Sequence, residues 1–447
     1  MASFSLGNCV AFPTKALPQL KNETDSNITL DDYQGSWFAS IFWISGIILA
    51  PPGGVLSGWL GRRKILLLSA PFIALGWLII GCATNRILLF IGRTICCLGI
   101  TVQMATPSAF VSEIAHPNKR ATFITLPALL MASGMCMVWT FSFFATWRMT
   151  AFLAIVPPSL MTMLLITLPE TPFWLIEDDQ DGQAKKSLQF YRGPDYDITE
   201  ELNEIRQKHL SKKENVGTSW KWTCQRLAST AFWKPFSCVG IIYMFNTMSG
   251  INIILVYMIT LLEETGSNID PELGPVIIGV LRVLVAGLVP FVVQKMPPKA
   301  SFMTGQAVTS VSMGILGIFS YLHNYQPEYL DTRIFGWVPL LMLILQFVMR
   351  SGACQPVLHQ LISELYPTEI RTQSIGITQA CFLATGAIMV KFFAEMKNGM
   401  GVHGCCFLYA ACGIVSVIWA YISIPDNRGK SLVKVEEMYE KKSQIKV

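Results

Sequence analysis

Charge is scarce in this sequence. Asp, Glu, Lys and Arg together make up 14% of its 447 residues, about half the share a water-soluble domain carries. With 52% of residues hydrophobic, too little polar surface remains to cover a body bathed in water, so the solvent is lipid. The net charge of +5 is too small to argue for a polyanionic partner, which sets aside nucleic-acid binding. The alternation of an outer-membrane barrel is missing, as is a cleavable signal sequence. No pair among the 12 cysteines has C-x-x-C or Cys/His spacing; most, such as Cys96-Cys97, Cys136 and Cys405-Cys406, sit inside apolar runs as small buried hydrophobes. No metal and no cofactor is therefore expected. The G-x-x-x-x-G-K-[ST], H-E-x-x-H and G-x-S-x-G patterns are also absent, which argues against an enzyme.

What is present is a series of apolar runs of membrane-spanning length, at roughly 35–60, 65–84, 87–112, 121–144, 147–168, 236–262, 274–294, 301–322, 334–363, 372–394 and 403–424. These make eleven full spans. A weaker piece at about 3–20 contains Lys15 and two prolines, and reads as the second half of a span whose first half is absent. Orientation follows from the cations. The loops holding Arg62, Arg63 and Lys64, then His116 to Arg120, then Lys295 and Lys299, and the tail with Lys441, Lys442 and Lys446, fall on one side, which the positive-inside rule makes cytoplasmic together with the C-terminus. The two N-x-[ST] sequons, at Asn22 and Asn27, fall on the opposite side, as glycosylation requires. The expected location is the cell membrane, multi-pass.

Between about 169 and 233 the hydrophobicity stops and charge becomes frequent. Gly182 to Tyr191 and Thr199 to Leu210 suit short amphipathic surface helices. The chain thus divides into an all-α N-terminal bundle (1–168), a cytoplasmic linker (169–233), a C-terminal helical bundle (234–424) and a cytoplasmic tail (425–447). A 6+6 arrangement with a long inner loop is the layout of the major facilitator fold.

Five short motifs in order then resemble the sugar porter family, most closely the insect facilitated trehalose transporters. They are Gly54 to Lys64 after the second span; Arg93 and Glu113 in the fourth, with Arg120 beyond; Pro169-Glu170-Thr171-Pro172-Phe173-Trp174-Leu175, like P-E-S-P-R-W-L; Ser249-Gly250-Ile251-Asn252 in the seventh; and Pro425 to Leu432, like P-E-T-K-G-K-T-L. The resemblance implies a cytoplasmic gate in which Arg62, Arg63, Arg93, Arg120 and Arg371 pair with Glu113, Glu170 and Glu364 when the inner side is closed. Single interfacial pairs are worth about 1 kcal/mol or less, but several broken together bias a two-state equilibrium. Departures weaken that gate: Gln294 to Lys299 lacks the family's second acidic-x-x-G-R-[RK], Gly58 stands for an acid, and Phe173 for an arginine.

Sugar recognition needs amides and hydroxyls for the sugar's hydroxyls and aromatic faces for its C–H face. The family's Q-Q-x-S-G-I-N reads here Asn246, Thr247, Met248, Ser249, Gly250, Ile251, Asn252, so the resemblance places Asn252, Asn246 and Thr247 at the substrate. His359 stands at the tenth span's tryptophan, Ala128 at a glutamine, and Phe382-Leu383 at Asn-Trp. The resemblance implies that Arg282 and Arg350 stand at positions facing the cavity, where charge deep in lipid demands water or a partner. With no acid at midplane depth in the first half, they would make that wall positive and favour an anionic or strongly hydrogen-bonding solute. No acid lies in the first span either, which leaves proton coupling unsupported. Lys391 reads as an interface or packing residue without chemistry.

The resulting expectation is facilitated diffusion of a sugar, of trehalose or hexose type, or of a related small polar solute by alternating access. The alternatives are a porter of an anionic solute and a transporter-like sensor that binds without translocating. The partners are a small-molecule solute and the lipid bilayer; the oligomeric state is open.

Overall fold

A computed structural model describes residues 1–21, 28–104, 106–116, 123, 125–215, 226–292, 297–329, 331–366 and 370–424. Among these residues there is no strand. The first half comprises α1 (Ala2–Lys21), α2 (Asp32–Leu60), α3 (Arg62–Gly81), α4 (Arg86–Val102) with its continuation α5 (Thr106–Ile114), α6 (Leu126–Phe144), and α7 (Trp147–Leu153) followed by α8 (Val156–Thr167). Short helices α9 (Pro172–Glu177), α10 (Asp181–Arg192) and α11 (Thr199–Asn215) occupy the polar stretch. The second half begins with α12 (Thr230–Pro235), a π-turn at Phe236–Gly240, α13 (Ile241–Met248) and α14 (Ile251–Glu264). It continues through α15 (Leu273–Val292), α16 (Pro298–Tyr325), α17 (Thr332–Phe335), α18 (Val338–Met349), a second π-turn at Arg350–Cys354, α19 (Gln355–Leu365) and α20 (Arg371–Ser423).

Backbone irregularities convert these helices into spans of bilayer length. α20 has 53 residues, roughly 80 Å at 1.5 Å per residue, more than twice a hydrocarbon core. Gly401, at φ +71° and ψ 170°, breaks it into two spans. α2 bends by 53° between Ala50 and Pro52, where consecutive prolines remove backbone donors. α1, at 20 residues, rises about 30 Å and is longer than half a span. Its start packs deep: Ala2 lies in a cluster with Leu66 near the start of α3 and Leu165 near the end of α8.

The two halves meet along three helix pairs: α1 with α14, α2 with α20, and α6 with α15. Side-chain contacts across this seam concentrate away from the cation-rich face. Thr14 Oγ1 donates to Leu255 O at 2.6 Å, Lys15 forms an ion pair with Glu272, and Lys391 Nζ donates to Ser36 Oγ at 3.0 Å. Deeper in the membrane Trp43 meets Phe382 with ring centroids 5.9 Å apart, and Gly46 faces Leu383. Beyond that level, Gly54 and Gly58 on α2 have open space on their side-chain faces, and His359 and Gln360 on α19 are exposed. The halves are thus joined on the face away from the basic loops and parted on the other.

Candidate functional site

The middle of the seam is set by a break in the seventh span. Gly250 has φ +97°, a backbone conformation that favours glycine, and a Cβ there would sit 2.6 Å from the terminal methyl of Met313. The break separates α13 from α14 and turns Asn252 toward the first half. Asn252 is 2% exposed, and its Nδ2 has no hydrogen-bond acceptor among the described residues. A Cβ built on Gly386 of α20 would lie 2.8 Å from that Nδ2 and 2.9 Å from Trp43 Cε3 of α2. An unsatisfied amide, an indole face and a glycine-lined wall therefore converge where the halves touch. A buried amide with an unmade bond is costly unless a ligand supplies the acceptor.

Adjoining this point is a second polar group on the same half as Asn252. Gln355 Nε2 donates to Tyr243 Oη at 3.3 Å and lies 3.1 Å from His359 Nε2. The Tyr243 ring lies 4.9 Å from Phe382, whose other neighbour is Trp43. Rings and hydrogen-bonding groups alternate along this wall, the chemistry that a polyol with one apolar face engages.

Other residues singled out from the sequence lie elsewhere. Asn246 is fully buried and donates Nδ2–H to Gln306 Oε1 on α16 at 2.5 Å, tying two helices of the second half together. The Thr247 hydroxyl donates to Tyr243 O, one turn back, at 2.7 Å. Arg350 Nη1 donates to Asn246 O at 2.5 Å and to Ser249 Oγ at 3.0 Å. It sits at the C-terminus of α13, where a cation complements the exposed carbonyls of the broken helix. Arg282 lies half-buried on α15 with its guanidinium carbon 5.5 Å from the Phe347 ring, and Phe347 in turn touches Trp139 of the first half.

At the cation-rich face the pairs form within the first half and the polar stretch. Arg62 Nε donates to Glu113 Oε1 at 3.0 Å, and its Nη2 lies 3.7 Å from Glu177. The Glu113 Oε2 accepts from Thr171 Oγ1 at 2.6 Å. Glu170 caps α3: its carboxylate accepts the Arg63 and Lys64 backbone N–H groups at 2.8 and 3.3 Å, an anion at a helix N-terminus. The Arg63 side chain donates instead to Leu165 O and Ile166 O. Arg93 is a correction. α4 runs from Asn85 toward the basic face, so Arg93 lies about 10 Å from the opposite face rather than at the basic one. It is wholly buried and donates to Cys9 O at 3.0 Å and Cys9 Sγ at 3.4 Å, with its guanidinium carbon 5.2 Å from the Phe38 ring. Lys391, expected to be without chemistry, bonds across the seam. Asn22, Asn27, Arg120, the side chains of Glu364 and Arg371, and the motif segments 294–296 and 425–432 lie outside the described residues.

Sequence reasoning passed over Tyr243, Gln355, Gln306, Trp43 and Gly386. Gln306 carried a signal, an amide deep in an apolar run. Trp43 and Gly386 carried none, because an aromatic and a glycine in a membrane span read as ordinary packing.

Two helical bundles meeting along a polar seam, one side joined and the other parted, define a major facilitator. The chain belongs to the family described as Sugar (and other) transporter, which matches residues 7–439. It is 27% identical over 441 residues to the facilitated trehalose transporter Tret1 of Apis mellifera ligustica, covering 98% of this chain and 86% of that one. It is 28% identical over 439 residues to the facilitated trehalose transporter Tret1-2 homolog of Drosophila simulans, covering 98% and 88%. In fold it resembles the inward open conformation of the xylose transporter XylE from E. coli, with a TM-score of 0.78, 18% identity, and coverage of 98% and 97%.

Proposed function

We propose that the chain carries a sugar or closely related small polar solute through the membrane by facilitated diffusion, exposing one central site alternately to the two sides. The observation that carries this reading is the buried, unpartnered amide of Asn252 at the seam, between Trp43 and Gly386. In this reading Asn252, with Tyr243, Gln355 and His359, meets the solute's hydroxyls, and Trp43 and Phe382 meet its C–H face. Asn246, Thr247 and Arg350 act one layer behind by fixing the broken seventh span. Residues 1–168 and 234–424 are the two moving bodies, 169–233 the bridge and 425–447 a tail.

The basic loops, the Arg62–Glu113–Glu170 network and the tail are cytoplasmic by the positive-inside rule, so the state described faces inward. Asn22 and Asn27 then fall on the extracellular side of a cell-membrane protein. The α1 residue that meets Arg93 is Cys9, not a carboxylate, which supports passive movement rather than proton coupling. No catalytic step is assigned.

The test is counterflow of labelled trehalose and glucose in proteoliposomes holding the purified chain. Exchange should be saturable and should fall at least tenfold in Asn252→Ala. Absence of exchange for every neutral and anionic solute tried would favour a sensor that binds without translocating.

A further inference from the structure

Acidic residues are excluded from the membrane interior of this protein. Between Asp32 and Glu170 the only Asp or Glu is Glu113, at the inner end of the fourth span, and none occurs in 273–327, 332–363 or 370–394. Three arginines nevertheless lie within spans, at 93, 282 and 350. A charge held in lipid requires an acceptor, a counter-ion or water. Arg93 has the Cys9 carbonyl and thiol and is sealed inside the first half. Arg350 is committed to the broken end of α13 through Asn246 O and Ser249 Oγ.

Arg282 has neither. Among the described residues no carboxylate lies within ion-pair distance of it and no acceptor within hydrogen-bond distance; its one contact of this kind is the face of Phe347, at 5.5 Å. A guanidinium presents five N–H donors in a fork that fits a carboxylate, and an aromatic face orients that fork without satisfying it. The position is a seam position. Phe347 is 3% exposed and packs on Trp139 of the first half, and Gly279, one turn from Arg282, faces Cys136 and Trp139. Residue 282 as a whole is half-buried, and the ring its guanidinium faces packs on Trp139 of the first half, which puts the side chain beside the seam.

We propose that Arg282 receives a carboxylate carried by the solute, so that a sugar acid is bound in preference to the neutral sugar of the same size. This rests on the transport reading above and specifies its substrate class. The charge count favours a monoanion: with Arg350 engaged by backbone, one guanidinium remains to neutralise one negative charge, whereas a phosphate monoester brings nearly two.

The experiment uses the full chain in proteoliposomes under a potassium-valinomycin clamp, with labelled D-glucose exchanging against unlabelled D-glucose, D-glucuronate or glucose 6-phosphate. Glucuronate should compete at a concentration about tenfold or more below glucose, the range of a charge-assisted bond, and should carry current where glucose does not. Arg282→Gln should bring the two competitors together; Arg282→Lys, which keeps the charge without the fork, should fall between. Thermal stabilisation of the detergent-solubilised protein by each solute gives the same comparison without transport, and covers a variant that folds but does not exchange. Glucose exchange with no advantage for glucuronate overturns the Arg282 assignment and leaves the transport reading standing. Equal stabilisation of wild type and Arg282→Gln by glucuronate also overturns it, as does a stronger effect of glucose 6-phosphate.

Discussion

Lys391 of the second half reaches across the seam to Ser36 of the first, with Nζ donating to the hydroxyl at 3.0 Å. The ammonium is 4.2 Å from the centroid of Tyr33, 5.1 Å from Trp37 and 5.8 Å from Phe392, with Glu395 one turn away at 3.2 Å. Two of those rings belong to α2, so the contact exists only while the ends of the halves away from the basic loops are together. Lys391→Met should release it and raise the outward-facing population by roughly 2- to 30-fold, from about 0.5–2 kcal/mol for a partly desolvated cation–π contact. Spin labels on the outer ends of α2 and α20 would read the distance distribution; an unchanged distribution would rule the latch out.

Lys15 and Glu272 form a second tie across the same face. The Lys15 side chain is 7% exposed and that of Glu272 45%. Glu272→Gln strands a buried ammonium, so it should weaken the joined state by about 1–3 kcal/mol, more than a surface pair but less than a fully buried one. Lys15→Met combined with Glu272→Gln should recover part of that loss. The check is the labelling rate of an outer-seam cysteine by an impermeant thiol reagent across the double-mutant cycle.

Gly386 lets α20 approach the seventh and second spans. Gly386→Ala would place a methyl group 2.8 Å from Asn252 Nδ2 and should reduce counterflow several-fold, whereas Gly376→Ala, with nothing within 4 Å, should leave it near wild type. Equal rates for the two variants would remove Gly386 from the site.

Gly61 has φ +103°, and a Cβ there would lie 2.4 Å from Glu170 Oε2. Gly61→Ala therefore combines a left-handed backbone penalty with displacement of the cap on α3, together about 2–3 kcal/mol. Gly58→Ala, in open space, is the matched control. Thermal unfolding should drop for the first alone.

Tyr191 Oη donates to Pro169 O at 2.9 Å, and burial, with the nearby charge of Glu170, pushes its phenol up to about 12. A raised phenol is neutral in both states below pH 10, so its contribution is intact there and is lost as pH rises from 10 toward 12. Docking of the polar helices, followed by proteolysis of the 193–215 stretch, should loosen over that window in the native chain. In Tyr191→Phe, which lacks the titrating group, that part of the pH dependence should disappear.

How much is readable without the structure depends on the type of signal. The spans, their order and the 6+6 layout rest on long apolar runs, which lipid imposes on any chain. The Arg62 and Glu170 motifs point to an ion network, but sequence spacing alone assigns Arg93 to the wrong face, because a motif gives order along the chain and not depth in the bilayer. Spacing likewise groups Asn246 and Thr247 with Asn252 as one wall. The left-handed Gly250 rotates α14 relative to α13, so residues on the two sides of that glycine face different neighbours.

Sequence by itself determined that this chain lives in lipid and the order of its long apolar spans, since hydrophobic length is a one-dimensional quantity; it read the first helix as half a span, where the structure has 20 residues. Tertiary structure alone decided that Arg350 is engaged by backbone, that Lys391 ties the halves, and that the Asn252 amide at the seam has no acceptor. Those outcomes depend on what stands opposite a side chain, and the opposing residue comes from a helix up to 355 positions away, as Ser36 does for Lys391.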